Sequence, residues 1–228
     1  MLGRLATSVS HDIRHPLGAV LLHVEVLEEE FREPSPESQS VIAESLTEVQ
    51  TQLARLEELV QNYLSLARVA QLDATPQDLG AIIQVWAKEW QALTTAQGVT
   101  LRLTGMADCG VVTLHESTLR RGLLNLVQNA LDAMPQGGIL TVTGHGTATH
   151  VQLQIHDTGS GIPTEQLPRI FEPLYTTKPE GTGLGLYIVR EIVAAHGGQI
   201  TVDSVVGHGT MFTLTLPRTM ETAQAAAQ

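Results

Sequence analysis

The segment Asp157-Thr158-Gly159-Ser160-Gly161 decides the fold predicted for the second half of the chain. It follows residues 150–156, where apolar and polar side chains alternate as they do in a β-strand. Asp157 therefore falls at a strand end, where its carboxylate can accept a hydrogen bond from an exocyclic amine such as that of adenine. Gly159 and Gly161 permit positive φ and a close approach of a ligand to the backbone. Together these features indicate a nucleotide site.

A glycine-rich run, Gly181-Thr182-Gly183-Leu184-Gly185, opens a helix predicted over residues 183–196. Free N–H groups at the start of a helix attract anions such as phosphate. Lys178 shortly precedes the run and can pair with a terminal phosphate as a point charge. The run predicts the phosphate-binding part of the same site, although glycine-rich loops are common and carry little weight alone.

A third motif lies on the helix predicted over residues 116–134, where Asn125 and Asn129 are four positions apart and share one face. The side-chain oxygen of Asn129 is a suitable hard ligand for Mg²⁺ beside phosphates. A fourth motif, Gly207-His208-Gly209-Thr210, joins the last two predicted strands. The candidate nucleotide-binding residues are Asn125, Asn129, Asp157, Gly159, Gly161, Lys178, Gly181, Thr182, Gly183, Leu184, Gly185 and Thr210, with Asn129 as the metal ligand.

Helices and strands are predicted in separate groups in this half of the chain, which favours an α/β sandwich within an α+β fold. Apolar spacing of three and four residues predicts helices, and short alternating runs predict strands. The predicted helices are 79–97, 116–134 and 183–196. The predicted strands are 99–104, 111–114, 139–145, 150–156, 199–204 and 210–216.

The first part of the chain is predicted to form two long helices. Apolar residues from Leu2 to Phe31 and again from Val41 to Ala67 recur at steps of three and four, with Pro34 and Pro36 breaking the helix between them. A lone antiparallel hairpin cannot bury such stripes, so we expect a homodimer that forms a four-helix bundle. The predicted divisions are 1–71 for the dimerisation domain, 72–78 for a linker, 79–217 for the ATP-binding domain and 218–228 for a disordered tail.

The composition is that of an acidic globular protein. The 228 residues carry 13 Lys and Arg against 24 Asp and Glu, a formal net charge of −11 that argues against nucleic acid or an anionic membrane as a partner. One cysteine, Cys109, excludes an intrachain disulfide framework. No apolar run approaches the roughly 20 residues that span a bilayer. We therefore expect a cytoplasmic protein, or the soluble part of a longer membrane receptor.

In this order, the four motifs resemble the GHKL-type ATP-binding domain shared by histidine kinases, gyrase-type ATPases and MutL. The resemblance covers about residues 78–217 and implies a Bergerat-type fold, which is a mixed sheet with three main helices. It also implies a mobile lid over about Pro163–Thr182. The matched segments are 125–130 with the N box, 157–161 with the G1 box, 171–178 with the F box, 181–185 with the G2 box and 207–210 with the G3 region.

The F box and the N box point to a subgroup. The F box ends in Thr176-Thr177-Lys178, and the N box continues from Asn129 to Gly138 in a pattern similar to that of histidine kinases of the nitrogen-regulator type. Leu174 departs mildly from that pattern, since the more usual residue there is Phe.

Within the first helix, Ser10-His11-Asp12-Ile13-Arg14-His15-Pro16 resembles the H box of the same kinases. The resemblance implies two catalytic residues: His11 as the nucleophile and Asp12 as the group that orients or deprotonates its ring. Imidazole attacks phosphorus only when neutral, and a carboxylate can fix its tautomer. His15 stands where many relatives have Asn or Thr for dephosphorylating the partner, so phosphatase activity stays open.

A zinc hydrolase is the alternative for this segment, since His11-Asp12-x-x-His15-x-x-Gly18 approximates the helix motif of metalloproteases. Asp12 replaces the glutamate base of that motif, and Leu21 stands where a third histidine ligand would fall. The ATP-binding motifs have no place in such an enzyme, which makes this the weaker hypothesis.

The resemblance implies an ATP- and Mg²⁺-dependent protein-histidine kinase of a two-component system. Such a kinase phosphorylates its own histidine, here His11, and passes the phosphoryl group to an aspartate in the receiver domain of a response regulator. Two alternatives stay open: a dimeric ATP-binding scaffold without phosphoryl transfer, and an ATPase or serine kinase of the same superfamily. Asp12, Asn129 and Lys178 argue against the scaffold, and the long hairpin argues against the other enzymes.

Overall fold

The computed structural model of the protein describes residues 2–68, 74–178 and 181–219, and in the two N-terminal helices it describes the side chains of Ile13, residues 16–57 and Val60. The predicted tail, 218–228, and the first part of the predicted linker fall largely outside the described residues. The chain divides into two compact units with the boundary between Leu64 and Ser65. The first unit is helical, and the second holds all the described strands.

Two helices of 31 residues each build the N-terminal hairpin: α1 spans Leu2–Arg32 and α2 spans Ser38–Arg68, so that the end of α2 passes the unit boundary. Each is about 45 Å long at 1.5 Å per residue. The turn between them contains both prolines of the predicted break, since a proline ring cannot continue a helix. His23 Nδ1 and Ser45 Oγ, 3.4 Å apart, join the two helices, which form the predicted antiparallel hairpin.

The hairpin leaves many apolar side chains in solvent. Leu21 is 63% exposed and Phe31 is 72% exposed. Among the side chains that the structure describes on the hairpin, the other large apolar ones that are exposed are Leu17, Leu22, Val24, Leu46, Leu53 and Val60. Three of the buried side chains, a heptad apart on α2, are polar: Ser38, Ser45 and Gln52. One hairpin therefore does not cover its own apolar stripes.

Where the structure describes it, the second unit combines three α-helices of its own with seven strands. Its helices are α3 (Leu79–Ala96), α4 (Glu116–Ala133) and α5 (Gly185–Ala195). Its strands are β1 (Thr75–Asp78), β2 (Val99–Thr104), β3 (Val111–Leu114), β4 (Gly138–Gly146), β5 (His150–Asp157), β6 (Gln199–Val205) and β7 (Gly209–Pro217). The predicted helices and strands of this half are all found, with ends that shift by one or two residues.

Five strands form a mixed sheet in the order β2-β4-β5-β7-β6. β2 and β4 are parallel, and the other neighbours are antiparallel. Every second residue of β5, from Val151 through Leu153 to Ile155, is buried, while the polar residues between them are not. The helices cover the buried face, with α4 against β5 and α5 against β6. The α/β sandwich with a mixed sheet and three helices is confirmed.

The strand β1 lies where the sequence analysis places a linker. Its residues pair antiparallel with β3, in a two-stranded sheet separate from the main one. Asp78 then caps α3, because its Oδ1 accepts a hydrogen bond from the Ala81 N–H at 2.9 Å. Pro76 reads as a breaker in the sequence, but a proline is compatible with a short edge strand.

Candidate active site

Asp157 ends β5 and is 4% exposed. Its Oδ1 accepts hydrogen bonds from two backbone N–H groups, those of Gly159 at 2.8 Å and Thr210 at 3.3 Å. Burial raises the pKa of the carboxyl group, and the two backbone hydrogen bonds oppose that shift. The carboxylate is fixed through one oxygen, which leaves Oδ2 able to accept a hydrogen bond from a ligand.

The loop after Asp157 is hydrogen-bonded to the hairpin formed by β6 and β7. Ser204 Oγ accepts a hydrogen bond from the Ile162 N–H at 2.8 Å and donates to the Gly209 carbonyl at 3.0 Å. Gly161 has φ +71°, and a side chain there would collide with the Val205 backbone. The glycine is required by this close contact between two loops, so its predicted role is structural as well as one of ligand approach.

The helix α4 carries both predicted asparagines. Apolar residues of α4, among them Leu126 and Val127, are buried against the sheet, and Asn125 and Asn129 lie on a half-buried face. The Asn125 Nδ2 atom is buried without a hydrogen-bond partner in the described part of the chain. A buried donor left without a partner is costly, which is the condition expected of a side chain that awaits a polar ligand.

Lys178 reaches α4 from the F-box segment. Its Nζ donates hydrogen bonds to Asn129 Oδ1 at 2.8 Å and to Asp132 Oδ2 at 2.6 Å. The hydroxyl of Thr176 accepts a hydrogen bond from the Lys178 N–H at 3.1 Å and so shapes the turn that presents this lysine. The structure thus brings Lys178 to the predicted metal ligand.

The glycine-rich run leads into α5. Gly183 has φ +67°, its carbonyl accepts a hydrogen bond from the Leu174 N–H at 2.9 Å, and a side chain there would collide with Leu174. The Leu184 side chain is fully buried, so only its backbone can serve the predicted nucleotide site. A side chain added at Gly185 would meet no atom of the described chain. The start of α5 therefore combines open space with a helix N-terminus, the arrangement that favours anion binding.

The nucleotide that the motifs imply fits these residues. The orphaned Asn125 amide, the open space at Gly185 and the fixed carboxylate of Asp157 lie on the elements where a base and a phosphate chain were expected. Thr210 contacts Asp157 through its backbone and Ser204 through its hydroxyl at 2.9 Å. Because the Thr210 side chain is buried, the contribution of this residue to the site is its backbone N–H, which positions the Asp157 carboxylate.

The predicted catalytic pair lies in the other unit. The backbones of His11 and Asp12 belong to α1. Their side chains, and that of His15, lie outside the described part of the structure. Pro16 follows them inside α1 and is buried; it removes one helical N–H donor there.

Two family models match the two parts of the chain. The His Kinase A (phospho-acceptor) domain matches residues 1–72. The histidine kinase-, DNA gyrase B- and HSP90-like ATPase matches residues 114–220. A solved structure of the mycobacterial sensor histidine kinase MprB is 30% identical, with a TM-score of 0.56 over 64% of this chain and 99% of that one. The chain belongs to the histidine kinase family.

Other members of the family match almost the whole chain. The sensor histidine kinase ZraS of Escherichia coli O157:H7 is 36% identical over 217 residues, 95% of this chain and 46% of ZraS. The structure of the histidine kinase ThkA in complex with the response regulator protein TrrA is 25% identical, with a TM-score of 0.74 over 96% of this chain and 62% of that one. The present chain thus spans about half the length of ZraS. None of the described helices combines the length and the hydropathy that a membrane span requires.

Sequence reasoning missed two polar residues of this candidate site. Ser204 links the loop after Asp157 to β7 through hydrogen bonds with Ile162 and Gly209. Asp132 accepts a hydrogen bond from the ammonium group of Lys178. Asp132 had a detectable signal, since it lies three residues after Asn129 and shares its helical face. Ser204 had none, because the Ile162 N–H that binds its hydroxyl lies 42 positions away along the chain.

Proposed function

We propose that this chain is the ATP-dependent protein-histidine kinase core of a two-component system, with residues 1–71 as dimerisation and phospho-acceptor domain and 79–217 as ATP-binding domain. The observation that carries the proposal is the buried Asp157 carboxylate, held by two backbone N–H groups at a strand end. Such a carboxylate can accept from the amine of adenine and reject a base that presents an acceptor there.

The phosphate side of the site is proposed for the start of α5 and for the polar face of α4. The backbone of Gly181–Gly185 supplies N–H donors, and Asn129 supplies an oxygen for Mg²⁺. Lys178, which already contacts Asn129, supplies a positive charge. Bound ATP would supply the γ-phosphoryl group, and Mg²⁺ would offset its charge.

The acceptor is His11 in its neutral form. One ring nitrogen forms the N–P bond as the bond from phosphorus to the ADP oxygen breaks, so the phosphoryl group moves without a redox change. Asp12 accepts a hydrogen bond from the other ring nitrogen and keeps the attacking one unprotonated. The phosphoryl group then passes to an aspartate of a response regulator, a class of partner that the ThkA structure contains.

We also propose a homodimer through residues 1–71. The exposed apolar side chains of the hairpin support it, because monomers rarely leave such stripes in water. Pairing two hairpins gives four helices around a common core.

The experiment is incubation with γ-labelled ATP and Mg²⁺, followed by acid or base treatment. The wild type should take up label that survives base and is lost in acid, as a phosphoramidate does. His11→Ala should abolish it. His15→Ala, which removes the neighbouring histidine one turn along, is the matched control and should keep it. Acid-stable label, or label that persists in His11→Ala, would refute the proposal.

A further inference from the structure

The polar end of α4 holds a carboxylate to which the family motifs give no role. Asp132 lies three residues after Asn129, so the two side chains are neighbours on one face of the helix. Asp132 Oδ2 and Asn129 Oδ1 both accept hydrogen bonds from the same nitrogen, Lys178 Nζ, at 2.6 and 2.8 Å. One cation therefore contacts both oxygens at once.

The carboxylate is oriented from within its own helix. Gln128 Nε2 donates a hydrogen bond to Asp132 Oδ1 at 3.0 Å, across one helical turn. This bond occupies one oxygen and leaves Oδ2 to the ammonium group. Two side chains of α4 thus present oxygen atoms to a cation, and a third holds one of them in place.

The ammonium group is held loosely. The side chains of Lys178 and Asp132 are 47% and 37% exposed, so water screens their attraction and such pairs contribute little. A lysine held in this way can exchange for another cation that binds the same oxygens. Released from α4, its charge becomes available to the phosphates.

We propose that Asn129 Oδ1 and Asp132 Oδ2 together form the cation site of this kinase, with Lys178 as a tethered stand-in for Mg²⁺. Proteins bind Mg²⁺ through one or two carboxylates together with phosphates and retained waters. Asn129 alone is neutral, and Asp132 adds the carboxylate that this chemistry favours. The inference rests on the proposed function, since the metal arrives with the nucleotide.

A purely structural role for Asp132 predicts a different effect of its removal on Mg²⁺ binding. If Asp132 only tethers Lys178, its removal frees Asn129 from the competing ammonium, and Mg²⁺ should then bind as well as before or better. If Asp132 belongs to the cation site, its removal weakens Mg²⁺ binding. The direction of the change therefore decides between the two roles.

The test measures how much Mg²⁺ the full chain needs to bind a fluorescent non-hydrolysable ATP analogue. MgCl₂ is titrated at a fixed analogue concentration, and the half-saturating Mg²⁺ concentration is compared between variants. Asp132→Asn should raise it about tenfold, the low end for loss of a residue around a metal. Affinity measured in EDTA should not fall. Glu116→Gln, an exposed carboxylate at the other end of α4, is the matched control and should leave both values unchanged.

The same substitution in a Lys178→Met variant tests whether Asp132 acts through Lys178 or binds the cation itself. Lys178→Met removes the competing ammonium, and in this background Asp132→Asn should still raise the half-saturating Mg²⁺ concentration. An unchanged or lower Mg²⁺ requirement in Asp132→Asn would overturn the inference while the proposed function stands. Failure of the wild type to bind the analogue at any Mg²⁺ concentration would overturn both.

Discussion

The two units of this chain differ in the side chains that they bury. The second unit, residues 65–228, contains the proposed ATP-binding domain and is called the ATP-binding unit below. Its core is apolar, and Ile83, Trp90 and Leu140 are fully buried. In the hairpin, Ser38, Ser45 and Gln52 are buried, while Leu46 and Leu53, each one position further along α2, are about half exposed. A hairpin that was stable alone would bury the leucines and expose the polar side chains.

The difference shows which unit is complete within one chain. Burying a leucine or phenylalanine side chain stabilises a fold by about 1.5–3 kcal/mol, and the ATP-binding unit gains this from its own residues. The hairpin can gain it only when another surface covers its apolar stripe. Dimerisation is therefore expected to be part of the folding of the first unit and not of the second.

The largest expected effect comes from a charge on the apolar stripe. Leu21→Glu should prevent dimer formation, because burying an unpaired carboxylate costs about 3 kcal/mol or more, which is at least a hundredfold in affinity. Sedimentation velocity measures it. Val85→Glu is the matched control, since Val85 on α3 is equally exposed at 63% and belongs to the unit that needs no partner. Dissociation by both variants, or by neither, would break the comparison.

The next effect separates binding from stability in the ATP-binding unit. Asp157→Asn should weaken ATP binding about thirty- to hundredfold, since a charged hydrogen bond contributes about 2–3 kcal/mol. The measurement is calorimetric titration with an ATP analogue. Asp203→Asn, an exposed carboxylate on β6, should bind normally.

The same variant should not lose stability without nucleotide. Burial raises the pKa of Asp157, so its ionised form opposes folding at neutral pH, and this cost declines as the pH falls from the folded-state pKa toward the ordinary value of 3.8. Asn keeps an oxygen that can accept from Gly159 and Thr210 and removes the charge. A melting temperature well below that of the wild type at pH 7.5 would contradict this interpretation.

A buried histidine gives the ATP-binding unit a pH dependence. His196 Nδ1 donates to the Ile192 carbonyl at 2.7 Å, and Nε2 accepts from the His115 N–H at 2.9 Å, so the ring is neutral. Burial lowers its pKa below the ordinary value near 6.5. The unfolded chain therefore takes up a proton first as the pH falls, and stability should decline from about pH 6.5 downward until the folded-state pKa is reached.

His196→Gln should reduce this decline and cost about 1 kcal/mol at pH 7.5 through a poorer hydrogen bond. Denaturant unfolding between pH 5 and 7.5 measures both. His145→Gln, exposed on β4 of the same unit, should keep the wild-type slope. Equal slopes in all three proteins would show that another group sets the pH dependence.

The smallest effect concerns the polar interior of the hairpin. Gln52 is buried, its Nε2 donates to Glu48 at 2.7 Å, and its Oε1 has no partner in the described part of the chain. Gln52→Leu should raise stability by about 1 kcal/mol, because it removes an unsatisfied acceptor and adds apolar burial. Thermal unfolding measures it, and Gln50→Leu at an exposed position should change little. Destabilisation by Gln52→Leu would indicate that the polar interior is required.

Local patterns were enough to predict most of the second unit. Alternating residues located β4, β5 and β7, and the i,i+4 spacing placed Asn125 and Asn129 on one face of α4. These features depend on neighbours along the chain. The strand β1 depends on its pairing with β3, and Pro76 made this segment resemble a linker in the sequence.

Contacts between distant residues could not be predicted in this way. The approach of Lys178 to Asp132 joins residues 46 positions apart and depends on how the F-box segment folds over α4. Leu184 read as part of a phosphate loop, but its side chain belongs to the core. On α2, the three- and four-residue spacing predicted one apolar stripe and gave no indication that Ser45 and Gln52 would be buried instead of Leu46 and Leu53.

The most direct test of the account is to map the phosphoryl group after incubation with ATP and Mg²⁺ at neutral pH. Mass spectrometry of peptides kept out of acid should find the added phosphoryl mass on the peptide containing His11, and at the same residue in Glu116→Gln. The Asp157→Asn variant should show far less at the same ATP concentration. Modification at a serine, a threonine or His15, or an unmodified His11 in a protein that binds ATP, would contradict the account.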